Sequence, residues 1–178
     1  MSAKEDTGAD MRAYLDIETT YNGTMSVIGI YRHDRGVIQL VGSGIYDVAL
    51  YEALESITTI VTFNGSSFDL PVIKRQLQAD LRAEFAHRDL LHECRRRGLR
   101  GGLKGVEETL GIRRASSGLT GRDAPRLWAR YEEYGDRIAL QMLLDYNRDD
   151  VINLAMIEAL LDANNLPVAN PARIVKLG

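Results

Sequence analysis

Three β segments near the N-terminus, separated by two tight turns, constrain the fold of this chain most strongly. Residues 12–20, 24–31 and 37–41 carry apolar side chains at strand-like spacing. Asn22-Gly23 and Asp34-Arg35-Gly36 are turn sequences. Since such short turns join antiparallel neighbours, the sequence predicts a three-stranded antiparallel meander.

Two more strands and several helices follow the meander. The β-branched run 58–63 and a weaker strand candidate at 85–91 alternate with predicted helices, which are placed at 47–55, 68–77, 103–110, 124–134 and 136–163. Ser66 or Ser67 is expected to cap the second of these helices, Asp123 to cap the fourth and Asp136 to open the last. This order predicts an α/β fold, in which helices flank a mixed sheet of three antiparallel and two parallel strands.

The length and composition indicate one globular domain. The 178 residues, 45% of them hydrophobic and 26% charged, suffice to bury a core. We expect a flexible tail over 1–10, a single domain over 11–164 and a C-terminal tail over 165–178. The sequence has no apolar run near the about 20 residues of a membrane span, and no secretion signal is evident. The single cysteine, Cys94, excludes an internal disulfide and a cysteine-rich zinc site, so we predict a cytoplasmic protein.

The net charge of −3 conceals a strongly basic segment. Residues 88–130 contain eleven Lys and Arg against five Asp and Glu, which is +6, so the rest of the chain carries −9. Such a segment beside an acidic core suits contact with a phosphate backbone. The alternative is that these bases coat solvated helices.

Four acids recur where the predicted backbone can direct them to one point. Asp16 and Glu18 lie two residues apart on the first strand, so both side chains share one face. Asp69 lies in the first turn of a helix, and Asp150 lies one helical turn after Tyr146. Each has an ordinary alternative: a solvated edge strand, a helix-start acid favoured by the helix dipole, or a surface acid.

Together these acids indicate a site for divalent metal ions. Mg²⁺ and Mn²⁺ prefer oxygen ligands, and phosphoryl chemistry often uses two such ions. One ion lowers the pKa of a bound water and the other stabilises the leaving oxygen. A tyrosine with an ordinary pKa of about 10 is a poor base at neutral pH, but it can orient the attacking water.

Three motifs in order carry a family resemblance over about residues 12–161. The motifs DIETT, FNGSSFDLP and YNRDD resemble those of the DEDD (DnaQ-like) 3′–5′ exonucleases of the tyrosine subtype, DEDDy. FNGSSFDLP resembles the second motif of the exonuclease domain of family B DNA polymerases. GGLKGVEETLGI with LLDYNRDDV resembles stand-alone YprB-type ribonuclease H-like domains.

The resemblance implies a ribonuclease H-like fold and a role for each acid. Asp16 would bridge two metal ions, and Glu18 and Asp150 would hold the first. Asp69 would serve the second ion, directly or through water, and Tyr146 would position the nucleophile. Asp149 also lies about one turn from Tyr146, so the choice of Asp150 rests on the family spacing.

The same resemblance implies contacts to the substrate. We expect them at Ile17, Thr19, Asn64, Phe68 and Lys104. Phe68 can pack against a base or face the core, and we favour the core. TTYNG follows the first acids where many relatives have TTG and a longer loop, so the loop after the first strand is predicted to be short.

Other candidate site residues favour structural roles. His33, His87 and His92 show no metal-ligand spacing, and the last two are expected to be structural or solvent-facing. Trp128, with Tyr131 and Tyr134 at helical spacing, can stack on bases, but we favour core packing.

The sequence therefore predicts an enzyme that hydrolyses nucleic acid. The expected activity is that of a 3′–5′ exonuclease which binds two Mg²⁺ or Mn²⁺ ions, acts on single-stranded 3′ ends of DNA or RNA, and releases nucleoside monophosphates. One alternative is a ribonuclease H-like or resolvase-like endonuclease. Another is a non-catalytic nucleic-acid-binding subunit that recruits a helicase or polymerase partner. Fold alone does not decide among them.

Overall fold

A mixed five-stranded sheet forms the centre of the molecule. The computed structural model describes residues 11–116 and 118–163. The strands are β1 (Arg12–Thr19), β2 (Met25–Arg32), β3 (Gly36–Val41), β4 (Thr59–Thr62) and β5 (Ala86–Asp89). Their order in the sheet is β3-β2-β1-β4-β5. β1–β2 and β2–β3 are antiparallel, whereas β1–β4 and β4–β5 are parallel, which confirms the predicted sheet.

Helices cover both faces of this sheet. They are α1 (Asp47–Ala53), α2 (Asp69–Leu77), α3 (Leu81–Glu84), α4 (Leu90–Arg96), α5 (Leu103–Leu110), α6 (Ala124–Tyr134) and α7 (Arg137–Asp162). Helices α1, α2 and α3 contribute to one apolar cluster with Leu15 and Ile17 of β1. On the other face, α4, α5 and α7 pack with Tyr14. Because side chains alternate along a strand, Asp16 and Glu18 lie on the α7 face.

The first strand lies in the middle of the sheet, between β2 and β4. The alternative of a solvated edge strand is therefore wrong. β1 pairs with β2 as far as Thr19, but its parallel pairing with β4 covers only residues 12–14. Beyond Tyr14, the β4 side of β1 is therefore free for side-chain hydrogen bonds.

The long helix α7 is capped at its start and packs closely against the sheet. Asp136 caps it, and its Oδ1 accepts hydrogen bonds from the N–H groups of Ile138 at 3.1 Å and Ala139 at 3.0 Å. A Cβ at Gly29 of β2 would come within 2.1 Å of the Asn147 side-chain oxygen. This glycine therefore allows α7 to approach the sheet closely.

Several local predictions are corrected. Neither Ser66 nor Ser67 caps α2, whose N-cap position is Phe68, because the Ser66 side chain bonds to Asp89 instead. Asp123 is at the N-cap of α6, but its carboxylate accepts from Thr120 and the Arg126 side chain rather than from a backbone N–H of the helix. The sequence pattern also missed the short helices α3 and α4, and the predicted tails lie outside the described residues.

No helix in the described residues is long and apolar enough to span a membrane.

Candidate active site

Carboxylates from three separate segments converge at one end of the sheet. Asp16 and Glu18 of β1 and Asp150 of α7 each offer an oxygen, and these oxygens all lie within 4.8 Å of one another. Asp69 lines the same small cavity, of about 230 Å³. The structure thus brings together the four acids that the sequence singled out.

Asp69 is positioned by the free backbone edge of β1. As the first residue of α2 it is 4% exposed, and its Oδ1 accepts a hydrogen bond from the Ile17 N–H at 3.0 Å. Burial raises the pKa of Asp69 to about 7, although the bond from Ile17 acts in the opposite direction. The end of the β1–β4 pairing is what makes this N–H available.

Asp16 is held from the helix side by an amide relay. The Asn147 side chain donates to Asp16 Oδ2 at 3.1 Å, and Gln39 of β3 donates to Asn147 Oδ1 at 3.0 Å. The close approach of α7 at Gly29 makes this contact possible. Asn147 follows Tyr146 and shares a helix face with Asp150, which is the signal that could have identified it.

Asp150 is held by a buried arginine. Arg114, with a side chain only 8% exposed, forms an ion pair with Asp150 and bonds both oxygens of Glu107 at 2.9 and 2.8 Å. Asn153 also donates to Glu107, at 2.9 Å. The Arg114 guanidinium lies 4.8 Å from the centroid of the Tyr146 ring. Before folding, Arg114 is indistinguishable from the other arginines of the basic segment, so no sequence signal could have identified it.

The electrostatics of the site indicate missing positive charge. Burial, followed by repulsion from Asp150 and Asp69, raises the pKa values of Asp16 and Glu18 well above their ordinary range. Burial raises the pKa of Asp150 to about 7, against the opposing effect of Arg114. A set of converging oxygen ligands with so little compensation fits a hard divalent cation such as Mg²⁺ or Mn²⁺.

Tyr146 lies beside the acids with a protonated hydroxyl. It is 8% exposed and lines the small cavity. Burial, followed by the charges of Asp150 and Glu18, raises the pKa of its hydroxyl above the ordinary value. The group can therefore form hydrogen bonds at neutral pH but cannot act as a base.

The structure separates Asp149 from Asp150. Asp149 accepts hydrogen bonds from the N–H and hydroxyl of Ser116, at 2.7 and 2.6 Å. It does not line the small cavity, whereas Asp150 does. Helical spacing alone could not make this distinction, because both residues lie about one turn from Tyr146.

The turn after β4 is organised by a residue that sequence reasoning missed. Asp89, at the end of β5, accepts from the Asn64 N–H at 2.8 Å, the Ser66 N–H at 3.0 Å and the Ser66 hydroxyl at 2.7 Å. These bonds hold Asn64 in the left-handed region, with φ of 66°. Asn64 consequently lines the small cavity.

The predicted substrate contacts have different surroundings. Ile17, Thr19, Asn64 and Phe68 all line the small cavity. Phe68 is 45% exposed, so the expectation that it faces the core is wrong. Lys104 lines an adjoining, larger cavity, and its amine donates to the Leu119 carbonyl oxygen.

The aromatic and histidine predictions are confirmed only in part. Trp128 is buried in a cluster against which Tyr131 packs, as expected, but Tyr134 is 79% exposed. His87 Nε2 lies 2.9 Å from the Thr62 hydroxyl, which agrees with a structural role.

Comparisons with known proteins agree with this architecture. A family model described as the RNase_H superfamily matches residues 13–161. The uncharacterized protein YprB of Bacillus subtilis (strain 168) is 36% identical over an alignment of 121 residues, and the match covers 61% of this chain and 29% of YprB. A family B DNA polymerase from the hyperthermophilic archaeon Pyrobaculum calidifontis has a similar structure, with a TM-score of 0.63 and 18% identity over 85% of this chain and 24% of the polymerase chain.

The chain thus spans less than a third of the length of either protein. The structural likeness supports the fold alone, whereas the family model covers nearly all the residues that the structure describes. The predicted ribonuclease H-like fold is therefore confirmed, and this chain belongs to the RNase H superfamily.

Proposed function

We propose that this protein is a divalent-metal-dependent 3′–5′ exonuclease of the DEDDy subtype, which releases nucleoside monophosphates from single-stranded DNA or RNA ends. The observation that carries the proposal is the convergence of four carboxylates, three of them buried, on one cavity beside Tyr146. Membership of the RNase H superfamily supports the nuclease chemistry. The likeness to a family B DNA polymerase chain agrees with the resemblance of the FNGSSFDLP motif.

In this proposal Asp16, Glu18 and Asp150 would hold one metal ion, and Asp69 would serve a second together with Asp16. When bound, two divalent ions supply an activated water nucleophile and neutralise charge on the leaving oxygen. The protonated Tyr146 hydroxyl hydrogen-bonds and orients the attacking water.

The size and lining of the small cavity favour a substrate that binds by its terminal nucleotide over one that binds within a continuous strand. It has a volume of about 230 Å³ and is lined beyond the acids by Thr19, Asn64, Phe68 and Pro125. The exposed ring of Phe68 can stack on a base. A strand whose 3′ end occupies this cavity presents its last phosphodiester bond to the carboxylates.

The test compares two neighbouring aspartates. Labelled single-stranded DNA and RNA are incubated with the purified protein and Mn²⁺ or Mg²⁺, with EDTA as the metal-free control. We expect stepwise shortening from the 3′ end, which Asp16→Asn and Asp150→Asn abolish and Asp149→Asn retains, because among the described residues Asp149 accepts hydrogen bonds only from Ser116. Equal turnover by Asp16→Asn would identify a contaminant.

A circular single-stranded substrate distinguishes the alternatives. An exonuclease leaves the circle intact, and cleavage of the circle would overturn the proposal in favour of an endonuclease. Binding without turnover at every metal concentration would favour a non-catalytic subunit. A helicase or polymerase partner stays a prediction.

A further inference from the structure

A second, larger cavity of about 900 Å³ adjoins the carboxylate site. Asp16 and Asp150 line both cavities. The lining of the larger one also includes Arg95, Arg100 and residues 101–104, none of which reaches the smaller one. The larger cavity therefore leads from the acids toward the basic segment of the chain.

Most cations of the basic segment already have partners within the protein. Four arginines are held in ion pairs: Arg88, Arg114, Arg126 and Arg130. Arg97 and Lys104 donate to main-chain carbonyl oxygens. Within 11–116 and 118–163, Arg95 and Arg100 form neither an ion pair nor a hydrogen bond, and both are exposed. Their charges are therefore available to a ligand.

We infer that the larger cavity holds the upstream backbone of the bound single strand, with Arg95 and Arg100 as its phosphate contacts. The inference rests on the proposed function, since it takes the carboxylates as the position of the scissile phosphate. The free guanidinium groups supply the positive charge that a phosphate backbone requires.

The main chain between these arginines and α5 is also open to a phosphate. Gly102 is the N-cap of α5 and lines the cavity, and a Cβ placed there would meet no atom within 4 Å. The N-terminal N–H groups of a helix favour a nearby anion. This end of α5 therefore complements the two arginines without clashing with the strand.

The assignment fixes the polarity of binding. The 3′-terminal nucleotide occupies the small cavity, and the strand continues 5′-ward past Asp16 and Asp150 toward Arg100 and Arg95. A substrate too short to reach these arginines should bind weakly. Removing the two charges should weaken the binding of a long strand while leaving the carboxylate site intact.

The experiment measures binding by the full chain without turnover. Asp16→Asn protein with Mg²⁺ is titrated with fluorescent oligothymidylate and oligouridylate of about 4 and about 16 nucleotides over a range of salt concentrations. For the longer strand, Arg95→Gln with Arg100→Gln should reduce the slope of log Kd against log salt by about 1.4, because each single-strand phosphate contact contributes about 0.7. The preference for the longer strand should also fall.

Arg96→Gln is the matched control, since Arg96 is an exposed neighbour on α4 that lines neither cavity. It should keep the length preference and the salt slope. A double variant that behaves like Arg96→Gln would overturn the inference. The two proposals can fail separately. Weaker binding by the double variant supports the phosphate contacts even if the wild-type protein shows no turnover. Turnover by the wild type together with unchanged binding by the double variant supports the exonuclease and overturns the phosphate contacts.

Discussion

Helix α7 contributes to two buried acidic clusters, which differ in how far arginines compensate their negative charge. At Glu158, which is 3% exposed, the carboxylate is bonded by Arg12 at 2.6 Å, Arg88 at 2.8 Å and the Tyr14 hydroxyl at 2.7 Å. Arg88 also pairs with Asp162 at 2.7 Å. In this structural cluster, each buried negative charge is matched by a guanidinium.

The cluster at Asp150, about two turns earlier, is not matched in this way. It comprises five carboxylates: Asp16, Glu18, Asp69, Glu107 and Asp150. In the described part of the chain, Arg114 is the one cation that forms ion pairs with them. Hydrogen bonds from Arg88 hold the pKa of Asp162 below its ordinary value, whereas burial raises that of Asp150 to about 7.

The difference identifies the Asp150 cluster as the one whose negative charge is not compensated by arginines. A buried carboxylate without a partner costs folding free energy, and the Glu158 cluster demonstrates that this fold can supply arginines where they are needed. The deficit at Asp150 is therefore local to the site, where a bound divalent cation would remove it. Matched substitutions in the two clusters can test this interpretation.

The largest expected effect is on turnover by Asp150→Asn. Loss of a metal ligand should lower nuclease activity by at least about a thousandfold, since metal stabilisation is worth several kcal/mol. The same variant should stabilise the metal-free protein at a pH above 7, because the uncharged amide removes an ionised group whose pKa is raised by burial. Single-turnover assays and urea unfolding in EDTA measure the two effects. Wild-type activity in Asp150→Asn, or a lower stability of this variant than of the wild type without metal, would contradict this interpretation of the two clusters.

Glu158→Gln should change stability in the opposite direction. We expect the free energy of unfolding to fall by about 2 kcal/mol, less than the roughly 3–5 kcal/mol of a broken buried pair. The loss is smaller because Arg88 retains its ion pairs with Glu93 and Asp162. Activity per folded molecule should stay unchanged. Urea midpoints and active-site titration measure this, and an unaltered midpoint would show that the Glu158 cluster contributes nothing.

Arg114→Met should weaken metal binding by about ten- to a hundredfold, the usual effect of removing a residue that orients a ligand. Arg114 holds Asp150 and Glu107 at once, and a lysine cannot reproduce its forked geometry. Calorimetric titration of Mn²⁺ into Arg114→Met and Arg114→Lys measures the effect, with the exposed neighbour Arg113→Met as control. Wild-type affinity in Arg114→Met would show that Asp150 needs no positioning.

The last expected effect is the pH dependence of the metal-free protein, which involves no substitution. Asp69 and Asp150 have pKa values raised to about 7 in the folded state, above the about 3.9 of an unfolded aspartate. The folded state therefore binds more protons, so stability should fall as pH rises from about 4 to about 7. Metal binding must displace these protons, so Mg²⁺ should raise the melting temperature more at high pH than at low pH. An equal shift across this range would contradict the raised pKa values.

Much of the fold followed from local patterns. The turn at Asn22-Gly23 enforces antiparallel pairing whatever surrounds it, and the TIVT strand (Thr59–Thr62) was placed by its β-branched residues. The period of two along β1 placed Asp16 and Glu18 on one face. The short helix α4 was missed because its seven residues, with Leu90, Leu91 and Cys94 buried, are too few to establish a helical period.

The candidate site, like the fold, could be predicted from the sequence only in part. Asp16, Glu18, Asp69, Tyr146 and Asp150 were predicted from strand alternation, helix position and helical spacing, together with the order of the three motifs. Phe68 was assigned wrongly, because an aromatic residue beside a helix start has the same local signature in a core as in a cavity. In the structure the ring stands at the N-cap position of α2 and is 45% exposed.

By itself, then, the sequence determined which elements form and which carboxylates share a strand face or a helix turn, because those relations depend on residues a few positions apart. Only the tertiary structure decided which charges are matched. Arg114 pairs with Asp150 across 36 residues and Asn147 reaches Asp16 across 131. The Asn147 contact depends on how closely α7 approaches the sheet at Gly29, and the packing of the whole chain determines that distance.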